Sequence, residues 1–165
     1  MQITNFKDLY IAELQELASM ETQIGEVLLL MFRAASHPSL KEALLRHREQ
    51  TRTQMDRLES MLRNQGSSAY VHTDQAVEAL VAEAEKMLKL VKGDDLRDAA
   101  LIASAQKLEH YEIAAHGTAA ALAGQLELRE DQGMLHDSLE AERQIDALLT
   151  ELAKSEVNQD ALLAA

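Results

Sequence analysis

Cysteine is absent from the sequence, which excludes a disulfide framework, a thiolate metal site and a thiol nucleophile. Proline occurs once, glycine six times, and aromatic residues make up only 3%. With β-branched residues also few, little is left from which to build strands and tight turns. Basic residues are in the minority, and the formal net charge is −12. That disfavours direct binding to nucleic acid, where cationic side chains must displace counterions, and suits a chain that handles cations. No apolar run nears the roughly 18 residues that span a bilayer, and no charged-then-apolar leader opens the chain. A cytoplasmic protein without membrane or nucleic-acid partners is the expectation. No Ser/His/Asp or Gly-rich constellation points to a hydrolase.

What the chain does have is Ala, Leu, Glu and Gln, all strong helix formers. Its 165 residues fit one all-α domain over 1–165. Four long amphipathic patterns are visible. The first covers about 5–35, with Asn5 as cap and Phe6, Leu9, Leu17, Met20, Ile24, Leu28 and Met31 at steps of three and four. Pro38 sits where a first helical turn tolerates it, and Ser39 with Glu42 reads as a capping box for a second helix running to about 65. A shorter pattern spans about 74–92. The third long helix follows Asp94 and Asp95 and reaches about Gly124, through Ala99, Ile102, Ala103, Gln106, Glu109, Ile113, Gly117 and Ala120. The fourth starts between 128 and 133 and runs to about 153, through Leu135, Leu139, Glu142, Ile145, Leu149 and Leu152. The tail from about 156 is expected to fray.

A helix of about thirty residues is roughly 45 Å long. The connection from Gly66 to Gly93 can return along that length and carry the short extra helix. The expected fold is a ferritin-like four-helix bundle with one long crossover between the second and third long helices. An up-down bundle with a fifth packed helix is the competing topology.

Charges inside the apolar stripes carry the functional reading. Glu21 lies between Leu17 and Ile24 on the first helix. Glu109 lies between Gln106 and Ile113, with Glu112 one turn on and flanking the stripe. Glu142 lies between Leu139 and Ile145, and Asp146 is one turn further. On the second helix His47 follows Leu44, and Gln50, Thr51 and Gln54 continue the line, while Glu49 points outward. An ionised carboxylate in an apolar core costs several kcal/mol unless it is paired or metal-bound. Inward acids on three helices at similar heights share an explanation in a dinuclear metal site. Glu21, Glu109, Glu112 and Glu142 together balance two divalent ions. Fe or Mn suits this donor set best, with Mg, Ca or Zn as substitutes. No Glu has His three residues later, so the usual Glu-x-x-His pair is missing. The nitrogens to hand are His47 and, one turn after Glu112, His116; His110 and His116 are expected to be partly exposed.

The segments "LYIAELQELASMETQI", "HREQTRTQMDRLE", "RDAALIASAQKLEHYEIAAHGT" and "LEAERQIDALLTELA" resemble the YciE/YciF-type ferritin-like stress proteins over about residues 3–157. The resemblance implies a ferritin-like bundle related in arrangement to rubrerythrin, a bacterial stress role and a homodimer. It places the acidic positions at Glu16, Glu21, Glu109, Glu112, Glu142 and Asp146, and the histidine of the second helix at His47. Gln50 stands where many members have Glu, and Glu16 where Asp is commoner. Tyr10, Tyr70, Val71 and the 74–92 helix are expected to supply the apolar surface of the dimer. Two functions follow. One is a di-metal carboxylate protein that limits oxidative damage. The other is a non-catalytic helical scaffold acting through its surface, with its buried acids structural.

Overall fold

The structure is a computed structural model that describes residues 2–164. Four long helices, α1 (Phe6–Ala34), α2 (Pro38–Asn64), α4 (Asp94–Gln125) and α5 (Arg129–Leu152), form the bundle. The crossover carries α3 (Gln75–Leu90), and a π-helical stretch (Ala153–Val157) leads into α6 (Asn158–Leu163). There is no strand among the described residues. None of the described helices is long and apolar enough to cross a membrane.

Two buried hydrogen-bonded contacts establish the directions of the helices. Asp98, in the first turns of α4, accepts from the backbone N–H groups of Ser36 and His37 at 2.8 and 2.7 Å. The start of α4 therefore lies at the α1–α2 turn. At the other end, Tyr10 of α1 donates to Asp131 in the first turn of α5 at 2.9 Å. It follows that α2 and α4 run the same way and α1 and α5 the opposite way. The crossover must climb the full length of the bundle, and it does so along α1: Gln15 donates to Ser67 and Ser68, and Gln23 to the Asp74 carbonyl. This is the ferritin-like arrangement, and α3 packs on α4 and α1.

Local chemistry sets the helix ends. The Asn5 side chain accepts from the Asp8 N–H, a cap worth about 1 kcal/mol. Asp74 caps α3 through the N–H groups of Ala76 and Val77. The capping box expected at Ser39 and Glu42 does not form. His37 is the cap of α2, its side chain makes no capping bond, and Pro38 opens the helix. Asp98 takes over by binding the N–H groups just ahead of it. At the facing end of α1, Lys41 donates to the carbonyls of Phe32 and Ala35.

Three further expectations are corrected. The tail does not fray from 156: α6 continues to Leu163 because Val157 and Ala161 are buried, and it packs on α4. Tyr10 is not apolar surface but fully buried under the Asp131 contact. On α4 the buried face is turned relative to the expected stripe. Ala103 is exposed and Ile113 and Gly117 are only half-buried, while Leu101, Ala105, Leu108, Glu112 and His116 point inward.

Candidate metal centre

Mid-bundle, four helices each present polar side chains to one point. Glu21 comes from α1, His47 from α2, Glu142 from α5, and Glu109, Glu112 and His116 from α4. The steps 109, 112, 116 are three and four residues, so one face of α4 carries all three. None of the six is more than 1% exposed. His116 thus departs from the expected partial exposure, and Glu112 lies within the buried face rather than beside it.

The side chains fall into two groups. His47 Nδ1 lies 2.8 Å from Glu109 Oε1, and its Nε2 lies 3.1 Å from Glu142 Oε2 and 3.5 Å from Glu112 Oε1. On the other side, His116 Nε2 lies 2.8 Å from Glu21 Oε1. His47, Glu109, Glu112 and Glu142 each offer one ligand atom within 4.8 Å of the others, and so do Glu21, His116 and Glu142. Glu142 belongs to both groups. Its Oε1 also accepts from the Gln54 amide of α2.

These contacts do not satisfy the site. Both nitrogens of His47, both oxygens of Glu109 and of Glu112, Glu21 Oε2 and Glu142 Oε2 are buried without a hydrogen-bond partner. The imidazole and carboxylates of the first group touch without hydrogen-bond geometry. A buried polar atom left in that state costs about 1–3 kcal/mol, more for a charged group. Convergent lone pairs on nitrogen and carboxylate oxygen suit Fe, Mn or Zn, and the residues present fit such an ion.

Electrostatics point the same way. Burial pushes Glu21 well above the usual carboxylate range, helped by the charges of Glu142 and Glu109. Burial likewise raises Glu109 well above its ordinary value against the pull of His47, and raises Glu112 to about 7. Burial alone would lower His47, but Glu112 and Glu109 beside it raise it well above its ordinary value. Burial lowers His116. For Glu142 burial is the largest single influence and raises it, but His47, Gln54 and His116 together outweigh burial and hold this acid below its ordinary value. Without metal the site stores protons, and an ion would have to displace them.

The other expected positions lie elsewhere. Asp146, 22% exposed, accepts from Gln106 at 3.0 Å and lies 3.6 Å from His110 Nε2, apart from both groups. Glu16 pairs with His72 beside the crossover, half-exposed. Gln50 is half-buried with its Oε1 unpartnered, and Glu49 is exposed. From sequence alone His116 is expected to be partly exposed and stays outside the expected ligand set, and Gln54 counts only as part of the α2 stripe. The signals that could have placed them are the four-residue step from Glu112 to His116 and the seven-residue step from His47 to Gln54.

Fold and site together define a helical bundle with a long crossover and a buried Glu/His group at its centre, disposed to hold a metal ion. The chain belongs to the family described as Domain of unknown function (DUF892), whose model matches residues 5–162. It is 36% identical to Protein YciF of Escherichia coli over 162 residues, 98% of each chain. The crystal structure of the E. coli stress protein YciF matches with a TM-score of 0.89, covering 94% of this chain and 99% of that one. YcfI from Rhodopseudomonas palustris, described as a putative structural protein, matches at 0.87 with 30% identity over 90% and 95% of the two chains. A protein from Xanthomonas campestris, at 19% identity and a TM-score of 0.76 over 97% and 95%, shares the fold.

Proposed function

We propose that this chain is a dinuclear-metal carboxylate protein of the bacterial stress response that binds two Fe or Mn ions and limits oxidative damage. The observation that carries the reading is the convergence of unpartnered buried ligand atoms in two groups joined by Glu142. His47, Glu109 and Glu112 would hold one ion, Glu21 and His116 the other, and Glu142 would serve both. Such ions would supply redox chemistry. The chain's own part is to orient the ligands, through Gln54 on Glu142, and to keep water from the buried acids. Asp146 would act at the edge, holding Gln106 on the α4–α5 seam. The stress role rests on the likeness to YciF. The cytoplasm is the compartment proposed, and a homodimer the assembly. Exposed Tyr70, Val71, Leu162 and Leu163 support the dimer, and light scattering at twice the chain mass tests it.

Metal analysis of protein purified without chelator decides the central point. About two ions per chain are expected, as in two-metal carboxylate bundles. No binding at saturating Fe(II) or Mn(II) would favour the second reading, a non-catalytic scaffold with structural acids. The description of the Rhodopseudomonas relative as a putative structural protein favours that alternative.

A further inference from the structure

The groove between α1 and α2 has a volume of about 450 Å³, and one residue of the buried centre, Glu21, lies in its lining. Glu21 and Thr51, 1% and 4% exposed, line it. Thr51 Oγ1 is buried and has no hydrogen-bond partner, so a polar visitor is missing from this wall. Opposite stands Gly25, where a Cβ would sit 3.4 Å from Thr51 Cγ2. The two helices come close there, and a side chain longer than a methyl at position 25 would fill what space is left beside Thr51. Across the seam, Arg48 Nε donates to the Gly25 carbonyl at 3.2 Å. The lining acids Glu21, Glu26, Glu49 and Asp56 outnumber the cations Arg48 and Arg52. The larger groove between α2 and α5, about 630 Å³, differs on both counts. It contains no carboxylate of the centre, and it balances Glu49 and Asp137 against Arg46 and Arg57.

We propose that the α1–α2 groove is the port through which divalent cations reach the buried carboxylates, with Gly25 and Thr51 as its neck and Arg48 as a strap across it. The proposal rests on the metal reading above. Glu26, Glu49 and Asp56 concentrate cations at the mouth. The Thr51 hydroxyl oxygen replaces a water that the ion sheds as it narrows its hydration shell. Glu21 is the first carboxylate of the centre that it meets, so the Glu21–His116–Glu142 side fills first.

A port changes rates without changing equilibrium. Uptake of Mn(II) by stopped flow, its release into excess chelator, and its Kd by titration are therefore measured together. Gly25→Leu, which plugs the neck and adds helix propensity, is expected to slow uptake and release by the same several-fold factor, with Kd unchanged. Arg48→Ala is expected to speed both. Glu26→Gln is expected to slow uptake at low ionic strength only, because salt screens a surface charge. Should Gly25→Leu fail to fold, the other two variants decide. A wild-type chain that binds Mn(II) at rates indifferent to all the folded variants overturns the port alone. A wild-type chain that binds no Mn(II) overturns the metal reading and the port with it.

Discussion

Glu142 faces two ways, and its neighbours explain why it is the acid in the group held below its ordinary value. His47 lies 3.1 Å from one oxygen, and the Gln54 amide donates to the other. On the proposed reading, truncating it would remove a ligand from both groups, so Glu142→Ala is expected to abolish Mn(II) binding at both positions. Gln54→Ala keeps every ligand but frees Glu142 to rotate, and such supporting bonds are worth about 10–100-fold in metal affinity. Glu49→Ala, on the exposed side of α2, is expected to leave affinity intact. Isothermal titration of the three variants checks the order, and equal losses in Glu49→Ala and Glu142→Ala would break the facing on which the site depends. Part of this facing is legible in the sequence, because Glu21 and Glu142 interrupt stripes of Leu and Ile whose phase is unambiguous, whereas Glu109 lies on the alanine-rich α4. His116 is not legible in the same way. Its own neighbours Ala115 and Gly117 are small, and only the packing of α1 against α4 brings it to Glu21.

The helices differ in how clearly they declare their buried face. On α5 the residues Leu135, Leu139, Glu142, Ile145, Leu149 and Leu152 are all buried as expected, because large side chains alternate with charged ones. On α4, alanines lie on every side, and the helix has too little contrast to fix its rotation from periodicity. Its most consequential residue outside the buried Glu/His group is Asp98, 2% exposed. The partners of Asp98 are backbone N–H groups at Ser36 and His37, far away in the chain, so no local pattern announces it. Two charge-assisted bonds to otherwise unpaired donors make it the pin between the two hairpins. Asp98→Ala is expected to cost about 3–6 kcal/mol, since a hydrogen bond to a charged group is worth about 1.5–3 kcal/mol and two are lost. Urea unfolding followed by circular dichroism measures this, and a loss within experimental error of zero would show that the turn is held by packing alone.

For the whole molecule, the buried acids make stability depend on pH in a direction opposite to that of most proteins. In the unfolded chain Glu112 ionises near its ordinary value of 4.5, but in the fold only at about 7. Between those values the folded chain binds more protons, so its stability falls as pH rises, by about 3 kcal/mol from this one group. Glu21 and Glu109, also raised, act in the same sense. His47, raised by its acids, contributes stability that is present at low pH and lost as pH climbs through its raised value. Glu142, lowered, contributes stability that fades only in acid, and His116, lowered, opposes the trend as a single group. The metal-free chain is therefore expected to melt at lower temperature as pH goes from about 5 to about 8. On the proposed metal reading, an ion bound to these acids would reverse the sign. Its ligands must shed their protons, so affinity grows with pH, and a ligand at a hundredfold excess over Kd adds about 2.7 kcal/mol to the folded state. Melting curves with chelator should slope down with pH, and those with Mn(II) should slope up or stay level. Parallel slopes in the two series would mean that the ion binds somewhere other than these acids.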